Sequence, residues 1–394
     1  MRRLLAAAMT ALLFAALCGC GARERLPADT PPAASQTAVP EPPAAPPTKE
    51  ELADEKLDTL LSSMTLEERV GQLFFVRCPS ENAVEDVSAY HLGGYILFGR
   101  DTLGRTANEL IQTIQSYQDA ADPALPLLMG VDEEGGTVVR VSSNPHIRSE
   151  KFASAQRLYA LGGMERIVSD AREKDTLLRA LGFHVNLAPV ADVSTDPKDF
   201  IYARSFGQDA AATAEYVSAV VGQMRADGMG SVLKHFPGYG NNADTHTGVA
   251  LDQRPLETFT SSEFLPFSAG MRSGGTTTAV LVSHNIMACV DPQLPASLSP
   301  AVHALLRREL GFDGVVMTDD LAMDAVAAYA QDGAVAVMAL EAGNDLILTT
   351  DYRTQIPRVL AAVEDGTLKE YTVNAACRRV LCWKQALGLL DGSS

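Results

Sequence analysis

The feature that most constrains this chain is a rhythm. Short apolar runs recur at 73–77, 94–98, 127–131, 184–190, 231–234, 279–283, 314–318 and 345–349. Each is bounded by Gly, Pro or polar residues, as strands buried on both faces of a parallel sheet are. Helical periodicity fills the gaps at 104–121, 164–181, 209–227, 262–273, 299–311, 323–342 and 354–364, while the first connection, 80–92, is short and weakly helical. Gly162, Gly182, Gly228, Gly311 and Gly343 fall at or near helix ends, where a glycine closes the last turn. Eight strands alternating with helices predict a single α/β domain, a (β/α)8 TIM barrel. A doubly wound sheet is the alternative. The barrel is preferred because polar residues crowd most strand ends: Asp132 and Glu133, Asp192, Lys234 and His235, His284 and Asn285, Asp319 and Asp320. An open sheet gathers its site at one switch point instead. Thr65 with Glu68 makes a capping box that starts a helix before the first strand, and a helix over 373–387 closes the barrel.

The N-terminus follows different rules. Arg2 and Arg3 precede an apolar run from Leu4 to Leu17, the pattern of a secretory signal. That run is short for a membrane-spanning helix. It ends in Leu17-Cys18-Gly19-Cys20, which resembles a bacterial lipobox. The resemblance implies cleavage and lipidation at Cys20, so that residues 1–20 are a lipoprotein signal peptide. A plain secretory signal and an uncleaved anchor are the alternatives. Residues 21–50 read as a linker, since 27–47 hold eight prolines and almost no large apolar side chain. Such a segment stays extended and disordered. The expected arrangement is a folded domain over 51–394, tethered by lipid to the outside of a bacterial cell membrane.

Charge excludes one class of partner. The chain of 394 residues carries a formal net charge of −17. No basic run or interleaving of basic and aromatic residues offsets it, so nucleic acid is not an expected partner. Beyond the leader, Cys78, Cys289, Cys377 and Cys382 remain, and no pair has metal-ligand spacing. No metal or cofactor is expected. All four read as buried thiols, with one disulfide left open.

The candidate chemistry sits at strand ends. Lys234 and His235 end the fifth run, where inward charge needs a polar ligand or an acidic partner to offset desolvation. Asp244 and His246 follow in a loop rich in Gly and Asn, and an Asp beside a His orients the imidazole and raises its basicity. Asp132-Glu133-Glu134 ends the third run, with Arg140 after it, and reads as a set of hydroxyl-binding groups. Asp319 and Asp320 end the seventh. Adjacent carboxylates repel, so one faces the barrel mouth and the other caps the next helix. That leaves Asp319 as the candidate nucleophile. Arg204 alone reads as a surface arginine. Asp192 reads as structural or as part of an outer subsite, and His284 as a substrate contact or a packed residue at the core edge. His91, His146, His184 and His303 have no motif context.

The order of these pieces resembles glycoside hydrolase family three, in its bacterial β-N-acetylhexosaminidase branch, over roughly 55–390. The motifs are Met64-Thr65-Leu66-Glu67-Glu68-Arg69-Val70-Gly71-Gln72, Asp132-Glu133-Glu134-Gly135-Gly136, Ala203-Arg204-Ser205-Phe206-Gly207, Lys234-His235-Phe236-Pro237-Gly238 with Asp244-Thr245-His246, and Thr318-Asp319-Asp320-Leu321. The resemblance implies a retaining mechanism with Asp319 as nucleophile and His246 as acid/base, oriented by Asp244. This departs from the common pair of carboxylates. It also implies Asp132, Arg140, Arg204, Lys234 and His235 as sugar-binding positions and a terminal β-linked N-acetylglucosamine as substrate. Tyr239 stands where the family usually has His, and Thr137 where it usually has a basic residue. A phosphorylase using the same residues and a tethered sugar-binding protein without turnover are the competing readings.

Overall fold

The computed structural model describes residues 48–242, 250–323, 326, 329 and 333–390, with 49–51 described by their backbone alone. At its centre stand eight parallel strands: β1 (Phe74–Arg77), β2 (Gly94–Leu97), β3 (Leu128–Val131), β4 (Val185–Asn186), β5 (Gly230–Phe236), β6 (Thr278–Val282), β7 (Val316–Thr318) and β8 (Ile347–Thr349). Their order is β7-β6-β5-β4-β3-β2-β1-β8, so neighbours in sequence are neighbours in space. Phe74 of β1 pairs with Ile347 of β8, and a parallel bridge between Met317 and Leu346 brings β7 towards β8. The ring is nearly closed, the barrel that the alternation predicts.

What fills the ring fixes its register. Phe75 of β1 is fully buried against Gly94 of β2 and Gly130 of β3. A Cβ on Gly130 would stand 2.3 Å from Phe75 Cζ, and one on Gly94 2.6 Å from Phe75 Cδ2. The two glycines leave room for one aromatic ring.

The longer helices are α1 (Lys49–Ser63), α2 (Leu66–Gln72), α3 (Ala107–Ala120), α4 (Ala155–Ala180), α5 (Ala210–Ala226), α6 (Phe264–Gly274), α7 (Val335–Ala342), α8 (Tyr352–Glu364) and α9 (Glu370–Ala386). The capping box forms: Glu68 N donates to Thr65 Oγ1 at 3.2 Å, and Thr65 N donates to Glu68 Oε2 at 2.7 Å. The last helix, α9, seals the end of the barrel where the strands begin. Buried Trp383 donates through Nε1 to Thr277 O, ahead of β6, at 3.1 Å. Lys384 donates to Gln72 Oε1, ahead of β1, at 2.5 Å and to Pro126 O, ahead of β3, at 2.6 Å. The opposite mouth, where the strands end, stays open.

Four local expectations change. Helix α4 begins at Ala155, with Ser154 as its cap, and breaks at Gly162 and Gly163, the latter with φ of +63°. The helix predicted over 164–181 is its second part. The 299–311 segment is a turn of α-helix, Pro300–Ala304, running into a wider π turn, Leu305–Glu309. The ladder of β4 covers two residues only, because Pro189 has no N–H to extend it; Val190 then rejoins the sheet by a bridge to Lys234. Of the four thiols, Cys78 and Cys377 are buried, Cys382 is partly so and Cys289 is exposed, and all are free. Cys289 lies in a turn after the short strand Ile286–Met287, which its apolar neighbours conceal. Cys20 and the leader lie outside the described residues, among which no helix is long and apolar enough to cross a membrane.

Candidate active site

The open mouth holds a cleft of about 540 Å³, lined by Asp132, Arg140, Arg204, Lys234, His235 and Asp319 among others. The barrel thus gathers six of the candidate residues into one place. Asp244 and His246 belong to 243–249, outside the described residues.

On one wall, β3, β4 and β5 bring opposite charges together. Lys234 Nζ lies 2.6 Å from Asp132 Oδ1 and 2.6 Å from Glu134 Oε1. Arg204 forks onto the same Glu134, Nε to Oε2 at 3.0 Å and Nη2 to Oε1 at 2.7 Å. It is no surface arginine: its side chain is 17% exposed. Burial alone pushes the Glu134 carboxyl up, but Lys234 and Arg204 outweigh that and hold it well below the usual carboxylate range. In return, burial pulls Lys234 and Arg204 down, and their carboxylate partners raise both above their ordinary values. All three stay charged out of water because each has its counter-charge. An ammonium has three donors, so Lys234 keeps one for a ligand.

His235 sits beneath this network. Its Nδ1 is 2.8 Å from Asp192 Oδ2, and its Nε2 is 3.2 Å from Arg204 Nη2. A guanidinium only donates, so Nε2 accepts and Nδ1 carries the proton given to Asp192. Fully buried Asp192 also accepts the backbone N–H of His235 at 3.0 Å and of Tyr239 at 2.7 Å. It is a structural residue that fixes where the β5 tip points. Tyr239 is buried edge-on to the His235 ring, 5.1 Å between centroids.

The three acids after β3 separate. Asp132 lines the cleft and Glu134 joins the ion pairs. Glu133 turns away, fully buried, and accepts the backbone N–H of Arg140 at 2.8 Å and of Val141 at 2.7 Å, with the Ser142 hydroxyl. It holds the hairpin that presents Arg140, and it is not a hydroxyl-binding group.

Asp319 follows β7. Its N–H donates to Val282 O of β6 at 3.0 Å, and its Oδ1 accepts from Asp320 N at 2.9 Å. Asp320 accepts from Ala322 N and Thr350 Oγ1, each at 3.0 Å, so it caps the following turn as its sequence context suggests. His284 is buried outside the cleft lining, its ring nitrogens 2.7 Å from Ser297 Oγ and 3.1 Å from Asp320 O. It supports the Asp319–Asp320 turn from behind.

Sequence reasoning missed two groups. Arg77 and Phe98 line the far wall, and Arg77 ends the first apolar run, so the signal used at other strand tips also marks it. Arg254 ties the chain on both sides of 243–249: it donates to Gly238 O at 2.8 Å and pairs with Asp252 at 2.6 Å and with Glu263 at 2.6 Å. Gly240 makes room for it, with φ of +52°; a Cβ there would meet Arg254 Nη1 at 2.1 Å. Burial pushes Glu263 up to about 7 against the pull of Arg254. No motif marked these residues.

A parallel barrel with a polar cleft at its C-terminal mouth, lined by carboxylates and cations, has its candidate site where barrel enzymes carry theirs. The family model described as the glycosyl hydrolase family 3 N-terminal domain matches residues 65–382. The chain belongs to that family. It is 34% identical, over 304 residues, to a beta-hexosaminidase of Xanthomonas campestris pv. campestris, covering 75% of this chain and 87% of that one. It is 32% identical to the beta-hexosaminidase LpqI of Mycobacterium tuberculosis, covering 76% and 77%. Among solved structures, a family 3 beta-N-acetylglucosaminidase from a Paenibacillus species superimposes with a TM-score of 0.77 at 32% identity. That match covers 84% of this chain and 64% of the Paenibacillus chain. A beta-N-acetylhexosaminidase from Beutenbergia cavernae gives 0.72 at 32%, covering 82% and 99%.

Proposed function

We propose that the chain is an exo-acting, retaining β-N-acetylglucosaminidase, removing terminal β-linked N-acetylglucosamine from peptidoglycan fragments or related glycans. In this reading Asp319 attacks the anomeric carbon as His246 gives its proton to the departing oxygen, leaving a covalent glycosyl ester on Asp319. Water then displaces the ester, giving its proton back to His246, with Asp244 orienting the imidazole throughout. A neutral imidazole adds no second negative charge beside Asp319, which eases the approach of an acceptor. Asp132, Arg140, Arg204, Lys234 and His235 hold the sugar.

The observation that carries the reading is the company of Asp319: it shares one cleft with the Lys234–Asp132 pair, whose spare donor and acceptor suit sugar hydroxyls. The names of the relatives supply the sugar. A lipid on Cys20 and the linker over 21–50 hold the barrel outside the cell membrane in the same reading.

The test is a trapped intermediate. A fluorinated N-acetylglucosaminide should leave an adduct whose peptide mass places it on Asp319. An adduct elsewhere removes Asp319 as nucleophile. Sugar binding without turnover of a chromogenic N-acetylglucosaminide would make the chain a binding protein, and formation of sugar 1-phosphate with phosphate would make it a phosphorylase. His246→Ala should slow poorly activated leaving groups more than aryl ones, by about 10²–10⁴-fold for the former. Equal losses for both would contradict an acid role.

A further inference from the structure

Beside the cleft, the chain from 238 to 263 closes on itself around one guanidinium. Arg254 presents Nε and Nη2 to the two oxygens of Asp252, at 3.0 and 2.6 Å. Its Nη1 meets Glu263 Oε1 at 2.6 Å, and Nη2 also donates to Gly238 O at 2.8 Å. The Phe259 ring lies against it, 4.6 Å from the guanidinium carbon to the ring centre. Asp252 and Glu263 are buried. Asp252 Oδ2 also accepts from Asn242 Nδ2 at 2.6 Å, and the same Nδ2 lies 3.0 Å from Tyr239 O. Four points of the chain meet here: the turn after β5, Asn242 at the entry to 243–249, Asp252 just past its exit, and Glu263 ahead of α6.

Both ends lead back to the site. On the entry side, Tyr239 N donates at 2.7 Å to Asp192, the carboxylate that also holds His235. On the exit side, Ile286 N donates to Ala250 O at 2.8 Å and Ala288 N to Asp252 O at 2.9 Å. His284, two residues before Ile286, backs the Asp319–Asp320 turn. The chain gives up side chains to make this possible. Gly238 has φ of +118°, and a Cβ on it would stand 2.5 Å from Glu263 Oε2. Two buried carboxylates around one cation add little net stability. What the planar fork of a guanidinium fixes is geometry.

We propose that Arg254 is a positioning residue for proton transfer. Through Asp252 it holds Asn242 and the exit strand at a fixed spacing, and so sets where His246 meets the leaving oxygen. The proposal rests on the glycosidase reading above, in which His246 is the acid. Arg254 is not among the residues that line the cleft, so it acts through the segment it clamps.

Two substrates test this. A 4-nitrophenyl β-N-acetylglucosaminide has a leaving group that departs with little help, whereas the phenyl glycoside needs a proton. The ratio of their kcat/KM values reads proton delivery during formation of the ester. Being taken within one sample, it does not depend on the folded fraction. A misplacement of about 1 Å costs about 10²-fold. Arg254→Met should therefore slow the phenyl glycoside about 10–100-fold more than the nitrophenyl one. Arg254→Lys keeps the charge without the fork and should recover part of the ratio. In a His246→Ala background, Arg254→Met should leave the ratio where His246→Ala put it, because groups that act as a unit are not additive. Equal losses on both substrates in Arg254→Met, or a further change of ratio on top of His246→Ala, overturn the proposal and leave the glycosidase reading standing. An unchanged ratio in His246→Ala overturns the proposal together with the acid assignment. A wild type that hydrolyses neither substrate sinks the glycosidase reading, and the proposal with it.

Discussion

The two walls of the cleft hold the same kind of charge in opposite circumstances. On the side of β3 to β5, Lys234 and Arg204 meet Asp132 and Glu134 at 2.6 to 3.0 Å. On the side of β1 and β2, Arg77 and Arg140 rest on Phe98, with buried Nε atoms that have no partner. On the first wall every cation has its counter-charge, so its cations serve the fold and the site together. On the second, the two Nε atoms have no acceptor among the described residues. A cation that has its counter-charge contributes to stability, whereas one that lacks it contributes little.

Substitutions can break or sharpen that contrast. The largest effect belongs to the residue between the walls. Asp319→Asn should lower turnover by at least about 10⁴-fold while circular dichroism stays unchanged. Near-normal turnover would mean that neither wall serves this carboxylate.

Next comes the paired wall. Lys234→Met takes the cation from Asp132 and one of two cations from Glu134, which keeps Arg204, and should cost about 1–3 kcal/mol of stability along with activity. A melting temperature equal to that of the wild type would show that the pairing is not structural.

A third cation sharpens the comparison from the closed end of the barrel. Lys384 is fully buried with only neutral oxygens as partners, and burial lowers its pKa to about 7 from an ordinary 10.5. Between those two values the unfolded chain holds a proton that the native one has released. Stability should therefore rise with pH from about 7 to 10.5 through this group, and flatten on either side. Lys384→Met should remove that part of the slope in denaturant titrations at several pH values; an unchanged slope would assign it to other groups.

The smallest effect is expected on the unpaired wall. Arg77→Met should shift stability by no more than about 0.5 kcal/mol, because no ion pair is lost. A drop as large as that of Lys234→Met would show that Arg77 has a structural partner and would erase the difference between the walls.

Much of this was legible in the residues. The apolar runs sit within a residue or two of most barrel strands, because a strand buried on both faces needs an unbroken apolar stretch. The tips of those runs pointed to Asp132, Lys234, His235 and Asp319, since charge at the end of a buried strand has only the barrel mouth to face. What misled was context. Arg204 read as a surface residue because nothing near it in sequence hints at Glu134, seventy positions away. Glu133 read like its two neighbours, although alternation along the chain turns it into the hairpin. Arg254, Asp252 and Glu263 carried no signal, since their meeting depends on how Gly238 and Gly240 let the chain turn.

The sequence by itself determined the barrel, the set of strand-tip candidates and the family. These follow from local periodicity and from motifs, each contained within a few residues. Only the tertiary structure decided which charges are paired and which are not. Pairing depends on distances across the ring, and the closing of eight strands set them: Lys234 within 2.6 Å of Asp132 on one wall, Arg77 and Arg140 both against Phe98 on the other.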